Sequence, residues 1–83
     1  MKTILYFTAD WCGPCKKTRP IVEELNKDLS LINIKIVDVD SEMELAKKFE
    51  IKSVPTFIVI ENNEETNRVV GAQTKQSLLG LMK

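Results

Sequence analysis

The chain of 83 residues lacks histidine, has only two cysteines and carries no excess of either charge. Its 12 basic and 12 acidic side chains give a formal net charge of zero. Composition therefore offers no electrostatic basis for binding nucleic acid or an acidic membrane surface. Uninterrupted apolar runs such as residues 57–60 are far too short to span a bilayer. We expect neither a nucleic-acid partner nor a membrane partner.

The scarcity of cysteine argues against a small secreted domain held together by several disulfides. A tetrahedral zinc site needs four ligands, and two cysteines without histidine could supply one only together with another chain. No basic stretch followed by a long apolar run resembles a signal peptide. We expect a single cytoplasmic domain spanning residues 1–83, monomeric and without a metal.

Short segments rich in β-branched and aromatic residues predict four strands, at residues 3–9, 32–39, 56–60 and 66–71. Residues 13–29 are predicted to form a helix that Pro20 bends without ending, because the apolar spacing resumes beyond it. Its apolar stripe consists of Thr18, Ile21, Val22, Leu25 and Leu29.

Local signals mark the remaining elements. Ser41 and Glu44 have the spacing of a capping box and predict a short helix over residues 42–49. Asn62 and Asn63 tolerate positive φ and predict a tight turn between the last two strands. Thr74 is predicted to cap a final helix, which carries Leu78, Leu79, Leu81 and Met82.

The predicted element order is β-α-β-α-β-β-α. A helix joins the first two strands, so they should be parallel with a right-handed crossover. The last two strands should form an antiparallel hairpin. The sequence thus predicts an α/β fold with one mixed four-stranded sheet and helices on both faces.

The stretch "TADWCGPCKK" holds both cysteines at the junction of the first strand and the first helix. A thiolate at Cys12 would be stabilised by the free N–H groups and partial positive charge of the helix N-terminus. Cys15, one turn further along, could attack a mixed disulfide formed at Cys12. Pro14 suits the first helical turn, and Gly13 permits close approach of a partner backbone.

A purely structural disulfide, or a buried thiol pair, is the alternative interpretation of this pair. A disulfide across so short a loop constrains the unfolded chain little. The position at a strand-to-helix junction therefore favours redox chemistry over a structural role.

Three segments resemble the thioredoxin family. "WCGPC" followed by "KKTRP" resembles its active-site segment, "SVPT" at residues 53–56 resembles its cis-proline loop, and "VVGA" at residues 69–72 resembles the end of its last strand. They occur in the family's order, and the resemblance covers essentially the whole chain. It implies a minimal thioredoxin-like fold.

The resemblance also implies roles for individual residues. Cys12 would be the attacking thiol and Cys15 the resolving thiol. From their offset along the first turn of the helix we expect Cys12 to be the exposed, more reactive thiol and Cys15 the shielded one. Pro55 would follow a cis peptide bond, and the backbone at Val54 would pair with a substrate strand. The predicted substrate-binding residues are Trp11, Gly13, Pro14, Val54, Pro55, Thr56 and Gly71.

The chain departs from the family pattern in two respects. The sequence has no counterpart of the usual N-terminal strand and helix, so the strand at residues 32–39 should lie at an edge, where Asn33 and Lys35 discourage pairing with other chains. Tyr6 occupies the position, six residues before Cys12, where the family usually has a buried aspartate. Ile36 occupies the position of the lysine that accompanies this aspartate. Tyr6 cannot act as a base at neutral pH. Because neither Tyr6 nor Ile36 carries a charge there, this site should be buried, drier and less polar than in the family pattern. Either water or the leaving thiolate of the substrate would then accept the proton of the resolving thiol.

The resemblance implies a thiol–disulfide oxidoreductase that reduces protein disulfides through Cys12 and Cys15. Electrons would come from a thioredoxin reductase or a similar donor, at a potential of roughly −270 mV. The redox-active disulfide would be the only redox group, with no separate cofactor.

One alternative is a glutaredoxin-like protein recycled by glutathione, which the small size favours and the motifs "CGPC" and "GAQTK" disfavour. The other alternative is a non-catalytic binding module, such as an assembly subunit or a pair of chains sharing an iron–sulfur cluster.

Overall fold

The computed structural model describes residues 2–27 and 33–81. The predicted order β-α-β-α-β-β-α is confirmed within these residues. The predicted ends at Leu29, Ile32 and Met82 lie outside them. The elements are β1 Lys2–Thr8, α1 Gly13–Lys27, β2 Asn33–Asp38, α2 Met43–Lys48, β3 Thr56–Glu61, β4 Glu64–Val70 and α3 Lys75–Leu81.

The strands of the described chain form one mixed sheet in the order β2-β1-β3-β4. β1 runs parallel to β2 and antiparallel to β3, and β3 and β4 form the predicted hairpin. Asn62 and Asn63 occupy its turn with φ of 55° and 66°. β2 lies at an edge as predicted, with Asn33 and Lys35 exposed on it.

The two faces of the sheet bury separate apolar clusters, because successive side chains of a strand point to opposite faces. On one face Tyr6 packs in a cluster with Val22 and Leu25 of α1 and Leu78 of α3. The opposite face buries Leu5, Phe7, Val37 and Ile58, with Leu45 and Phe49 of the α2 region packed against them. Full burial of each large apolar side chain contributes about 1.5–3 kcal/mol. The helices therefore cover both faces, as predicted.

Helix α1 continues through Pro20 to Lys27, as its apolar spacing predicts. Its buried residues are Cys15, Thr18, Val22 and Leu25. The buried stripe begins at Cys15, so the packing of α1 on the sheet also fixes the position of the second cysteine.

The predicted capping box at α2 is wrong. The N-cap is Glu42, and no side chain makes the capping hydrogen bond. The carboxylate of Asp38 instead stabilises the turn before the helix. Its Oδ1 accepts the backbone N–H groups of Asp40 at 2.8 Å and Ser41 at 3.4 Å. Ser41 therefore belongs to the turn before the helix. At α3 the prediction is confirmed, since Thr74 Oγ1 accepts the N–H of Ser77 at 3.1 Å.

Candidate active site

The turn after β1 presents the cysteine pair at the start of α1. The N–H of Cys12 donates to the carbonyl of Ala9 at 3.2 Å, which brings Cys12 directly ahead of the first helical residue, Gly13. Cys12 and Cys15 form a disulfide, with their Cα atoms 5.3 Å apart. The N–H of Cys15 donates to Cys12 Sγ at 3.2 Å. A backbone dipole in the first turn of the helix is thus directed at the Cys12 sulfur.

Both cysteines are buried in this disulfide-bonded form, with 4% of Cys12 and 2% of Cys15 exposed. The predicted difference between an exposed Cys12 thiol and a shielded Cys15 thiol concerns the reduced protein and stays a prediction, because both sulfurs are joined in the disulfide here. Val39 and Val54 pack against the pair, and Cys12 Sγ lies 3.6 Å from the carbonyl oxygen of Val54. The loop ahead of β3 therefore covers the Cys12 sulfur.

That loop is tied to the end of β4. The peptide bond between Val54 and Pro55 is cis. The Pro55 carbonyl accepts the N–H of Gly71 at 2.8 Å, and the Thr56 hydroxyl donates to the carbonyl of Ser53 at 2.7 Å. Gly71 has a φ of +98°, a conformation that side-chain-bearing residues rarely adopt. The loop at Pro55 and the residue after β4, Gly71, are far apart in the sequence and are thus joined by a backbone hydrogen bond.

Trp11 lies on the surface next to this loop, with 70% of the residue exposed. Its Nε1–H donates to Asp40 Oδ2 at 3.0 Å, a contact that sequence reasoning did not find. Gly13 and Pro14 are exposed, and a Cβ added to Gly13 would meet no atom within 4 Å. A cavity of about 120 Å³ adjoins the ring, lined by Trp11, Val39, Ile51, Lys52, Ser53 and Val54.

The side of the site next to β1 is closed by Tyr6, which is fully buried as predicted. Its ring stacks on Phe57, with centroids 4.8 Å apart and planes inclined by 11°. Its hydroxyl donates to the carbonyl of Cys15 at 3.3 Å. Burial raises the pKa of the phenol, while the Thr8 hydroxyl and the Arg19 guanidinium offset part of that rise.

Ile36 pairs with Tyr6 in the register of β1 and β2 and packs against the same cluster. The two positions that would hold the acid and its lysine are therefore adjacent, and both are occupied by residues without a charge at neutral pH. No aspartate or glutamate is buried in the part of the chain that the structure describes.

Within residues 2–27 and 33–81 no group of three or more histidine, cysteine, aspartate or glutamate residues is placed to hold an ion. No helix in the same residues is both long and apolar enough to cross a membrane.

The fold and the disulfide at the head of α1 define a thiol–disulfide oxidoreductase, and comparison with known proteins identifies the family. The thioredoxin family model matches residues 1–83. The chain belongs to the thioredoxin family. It is a protein-disulfide oxidoreductase with Cys12 and Cys15 as its redox pair.

Individual relatives agree with this assignment. Thioredoxin from Chlamydia trachomatis is 38% identical over 79 residues, covering 95% of this chain and 78% of that protein. Thioredoxin from Staphylococcus saprophyticus is 47% identical over 73 residues, covering 87% and 70%. The crystal structure of Fasciola hepatica thioredoxin superposes with a TM-score of 0.88 at 34% identity, covering 99% of this chain and 81% of that one.

Proposed function

We propose that this protein works in the reducing direction, transferring two electrons from its dithiol to disulfides of other proteins. The reducing direction rests on the "CGPC" motif in a member of the thioredoxin family. The observation that assigns the attacking role is the N–H of Cys15, which is directed at Cys12 Sγ at 3.2 Å. A hydrogen-bond donor and the helix dipole both stabilise a thiolate at Cys12. Cys12 is accordingly the attacking thiol and Cys15 the resolving thiol.

The reaction proceeds by two exchanges. The Cys12 thiolate attacks one sulfur of the substrate disulfide, a Cys12–substrate bond forms, and the other substrate sulfur leaves as a thiolate. The Cys15 thiolate then attacks Cys12 Sγ, the Cys12–substrate bond breaks, and the second substrate sulfur leaves. The substrate is reduced, and the protein is left with the disulfide seen here.

The substrate docks, in this proposal, on the surface around the disulfide. The Val54 carbonyl and the cis peptide bond before Pro55 present backbone groups beside Cys12, in the manner of a sheet edge that accepts an extended strand. The exposed ring of Trp11 and the open space at Gly13 support the same surface. The full set is Trp11, Gly13, Pro14, Val54, Pro55, Thr56 and Gly71.

For recycling we propose a thioredoxin reductase. A relative from Mycobacterium leprae, described as a bifunctional thioredoxin reductase/thioredoxin, supports this choice: it is 38% identical over 74 residues, which make up 16% of that protein. We further propose that the protein acts in the cytoplasm as a monomer and uses no cofactor beyond its disulfide. Its cysteine content, a single close pair, suits a reducing compartment. The four strands and three helices described would then suffice as one redox domain.

An insulin-reduction assay tests the proposal. The protein is supplied with NADPH and a bacterial thioredoxin reductase in one series, and with glutathione and glutathione reductase in the other. Precipitation of reduced insulin only in the first series is expected. Turnover only with glutathione would favour the glutaredoxin-like alternative, and turnover in neither series would overturn the proposed reductase activity.

A further inference from the structure

A second cavity, with a lining different from that of the cavity beside Trp11, reaches Cys15. Its volume is about 170 Å³, enough for several water molecules at roughly 30 Å³ each. The cavity is lined by Thr8, Ala9, Asp10, Cys15, Lys16 and Arg19. None of these except Cys15 belongs to the redox pair or the docking surface proposed above.

The chemistry of resolution needs a proton acceptor at this place. Cys15 must lose its proton before it attacks, and Tyr6, its buried neighbour from β1, donates to the Cys15 carbonyl and is not a base at neutral pH. The Asp10 carboxylate lies in the turn between β1 and α1 and lines the same cavity as Cys15. It is exposed, so it can pass a proton on to solvent.

Two cationic side chains share this cavity with Asp10 and Cys15. Lys16 and Arg19 of α1 line the cavity with Asp10, and Arg19 also donates to Glu23 at 3.3 Å. Two further charged residues, Asp40 and Lys52, make their contacts on the docking side. Asp40, after β2, accepts from Trp11, and Lys52, ahead of β3, lines the cavity on the docking side.

We propose that water in this second cavity takes the proton of the Cys15 thiol and passes it to the Asp10 carboxylate, a step that rests on the reductase function proposed above. The S–H electron pair stays on Cys15 Sγ and forms the bond to Cys12 Sγ. The bond from Cys12 to the substrate breaks, and its electron pair leaves on the substrate sulfur. Asp10 acts through water and is a proton acceptor, not a group that touches the reacting sulfurs.

Stopped-flow reduction of dithiobis-nitrobenzoate separates the two exchanges. The first equivalent of yellow thionitrobenzoate reports attack by Cys12, and the second, in a phase independent of protein concentration, reports resolution by Cys15. Thionitrobenzoate is a weak base and a poor acceptor for the proton, so the assay isolates the contribution of the protein.

In Asp10→Asn the second phase should slow roughly tenfold at neutral pH, below the effect of about 10²–10⁴ typical of a directly positioned base. The first phase should be unchanged, and added imidazole should restore the second. Glu44→Gln, which removes one carboxylate on α2 outside this cavity, is the matched control and should change neither phase.

The proposal is tested by whether the second phase becomes slower or faster in Asp10→Asn. If Asp10 acted only as a nearby negative charge, its removal would favour the Cys15 thiolate and speed the second phase. A faster or unchanged second phase in Asp10→Asn therefore overturns the proposal. A parent protein that releases only one equivalent would instead overturn the proposed function, so the two failures are distinguishable.

Discussion

The two sulfurs of the disulfide have different surroundings. Cys12 Sγ faces the loop ahead of β3, where the Val54 carbonyl lies 3.6 Å away and the side chains of Val39 and Val54 pack against the pair. Cys15 lies between the Tyr6 hydroxyl and a polar cavity lined by charged residues. The two residues differ little in exposure, 4% against 2%.

Exposure therefore does not assign the roles of the two cysteines in the oxidised form. The assignment follows from the direction of the backbone dipoles and from what each sulfur faces. Cys12 Sγ accepts an N–H and lies beside the Val54 carbonyl, whereas Cys15 borders the polar cavity. Each side of the disulfide can be altered separately, and the following variants do so.

Serine substitutions should give the largest effect. Cys12→Ser should lower insulin reduction to background and form no mixed disulfide, since the attacking sulfur is gone. Cys15→Ser should lower turnover equally but accumulate a mixed disulfide through Cys12. Mass spectrometry after a single exposure to a disulfide-bonded substrate distinguishes the two. Trapping in Cys12→Ser rather than Cys15→Ser would reverse the assignment.

Brief alkylation of the reduced protein sharpens the comparison without mutation. We expect Cys12 to be labelled at least about ten times faster than Cys15 near neutral pH, because the helix N-terminus and the Cys15 N–H raise its thiolate fraction. Peptide mapping after a short pulse of iodoacetamide measures the ratio. Preferential labelling of Cys15 would contradict the environment inferred for each sulfur.

Tyr6→Asp tests whether the buried position of Tyr6 is dry, as distinct from the polar cavity that also borders Cys15. A carboxylate placed in this fully buried position beside Phe57 loses the stacked ring and has no charged partner from Ile36. The fold should lose about 3 kcal/mol or more, which lowers Tm by about 12 °C or more in a domain of this size. Resolution of the mixed disulfide near neutral pH should become faster. Thermal melts measure the first effect, and a Tm unchanged from the parent would show that the site is not dry.

Tyr6→Phe gives a smaller, pH-dependent effect. Burial raises the pKa of the folded phenol above its ordinary value near 10, so folding favours the neutral form. That contribution to stability is complete below about pH 10 and is lost as pH rises through the folded pKa. Tyr6→Phe should lose about 1 kcal/mol at neutral pH with the hydrogen bond to Cys15, and less or nothing at about pH 11.

Urea unfolding of both proteins at the two pH values measures this difference. Tyr6 is the sole tyrosine, so ultraviolet absorbance follows its ionisation directly. A phenol that titrates at its ordinary pKa in the folded protein would contradict its burial.

Asp40→Ala on the Cys12 side should have the smallest effect. It removes the acceptor for the Trp11 Nε1–H but leaves the ring exposed on the docking surface. An exposed hydrogen bond contributes about 0.5–1 kcal/mol, so KM for insulin should rise about two- to fivefold with kcat little changed.

Trp11 is the sole tryptophan, and its fluorescence should respond in Asp40→Ala and stay constant in the control Glu44→Gln. A fall in kcat without a change in KM would contradict a docking role for Trp11.

Sequence patterns predicted the topology because its causes are local. The apolar segments, the asparagine pair at residues 62–63 and the hydroxyl of Thr74 act on their near neighbours and lie where predicted. The capping box was wrong because its spacing does not show which carboxylate accepts the N–H of Ser41. Ser41 and Glu44 have the right spacing, but the carboxylate of Asp38 accepts the N–H of Ser41 first.

The candidate site was predicted less completely, because its decisive contacts join distant parts of the chain. The burial of Cys12 depends on a loop 42 residues further along, and no local pattern shows how closely that loop approaches. The hydrogen bond from Tyr6 to the Cys15 carbonyl depends on how α1 is seated on β1. The resemblance named the residues of the site, whereas the differences between its two sides required coordinates.

The edge position of β2 bears on how the protein behaves when concentrated. An edge strand offers backbone groups to which another chain can add, and Lys35 places an exposed charge on this one. Exposed charge at an edge keeps copies apart at the crowded concentrations of a cell or a storage buffer. We therefore expect that replacing Lys35 with an apolar residue would promote self-association, although Lys35 lies outside the redox centre.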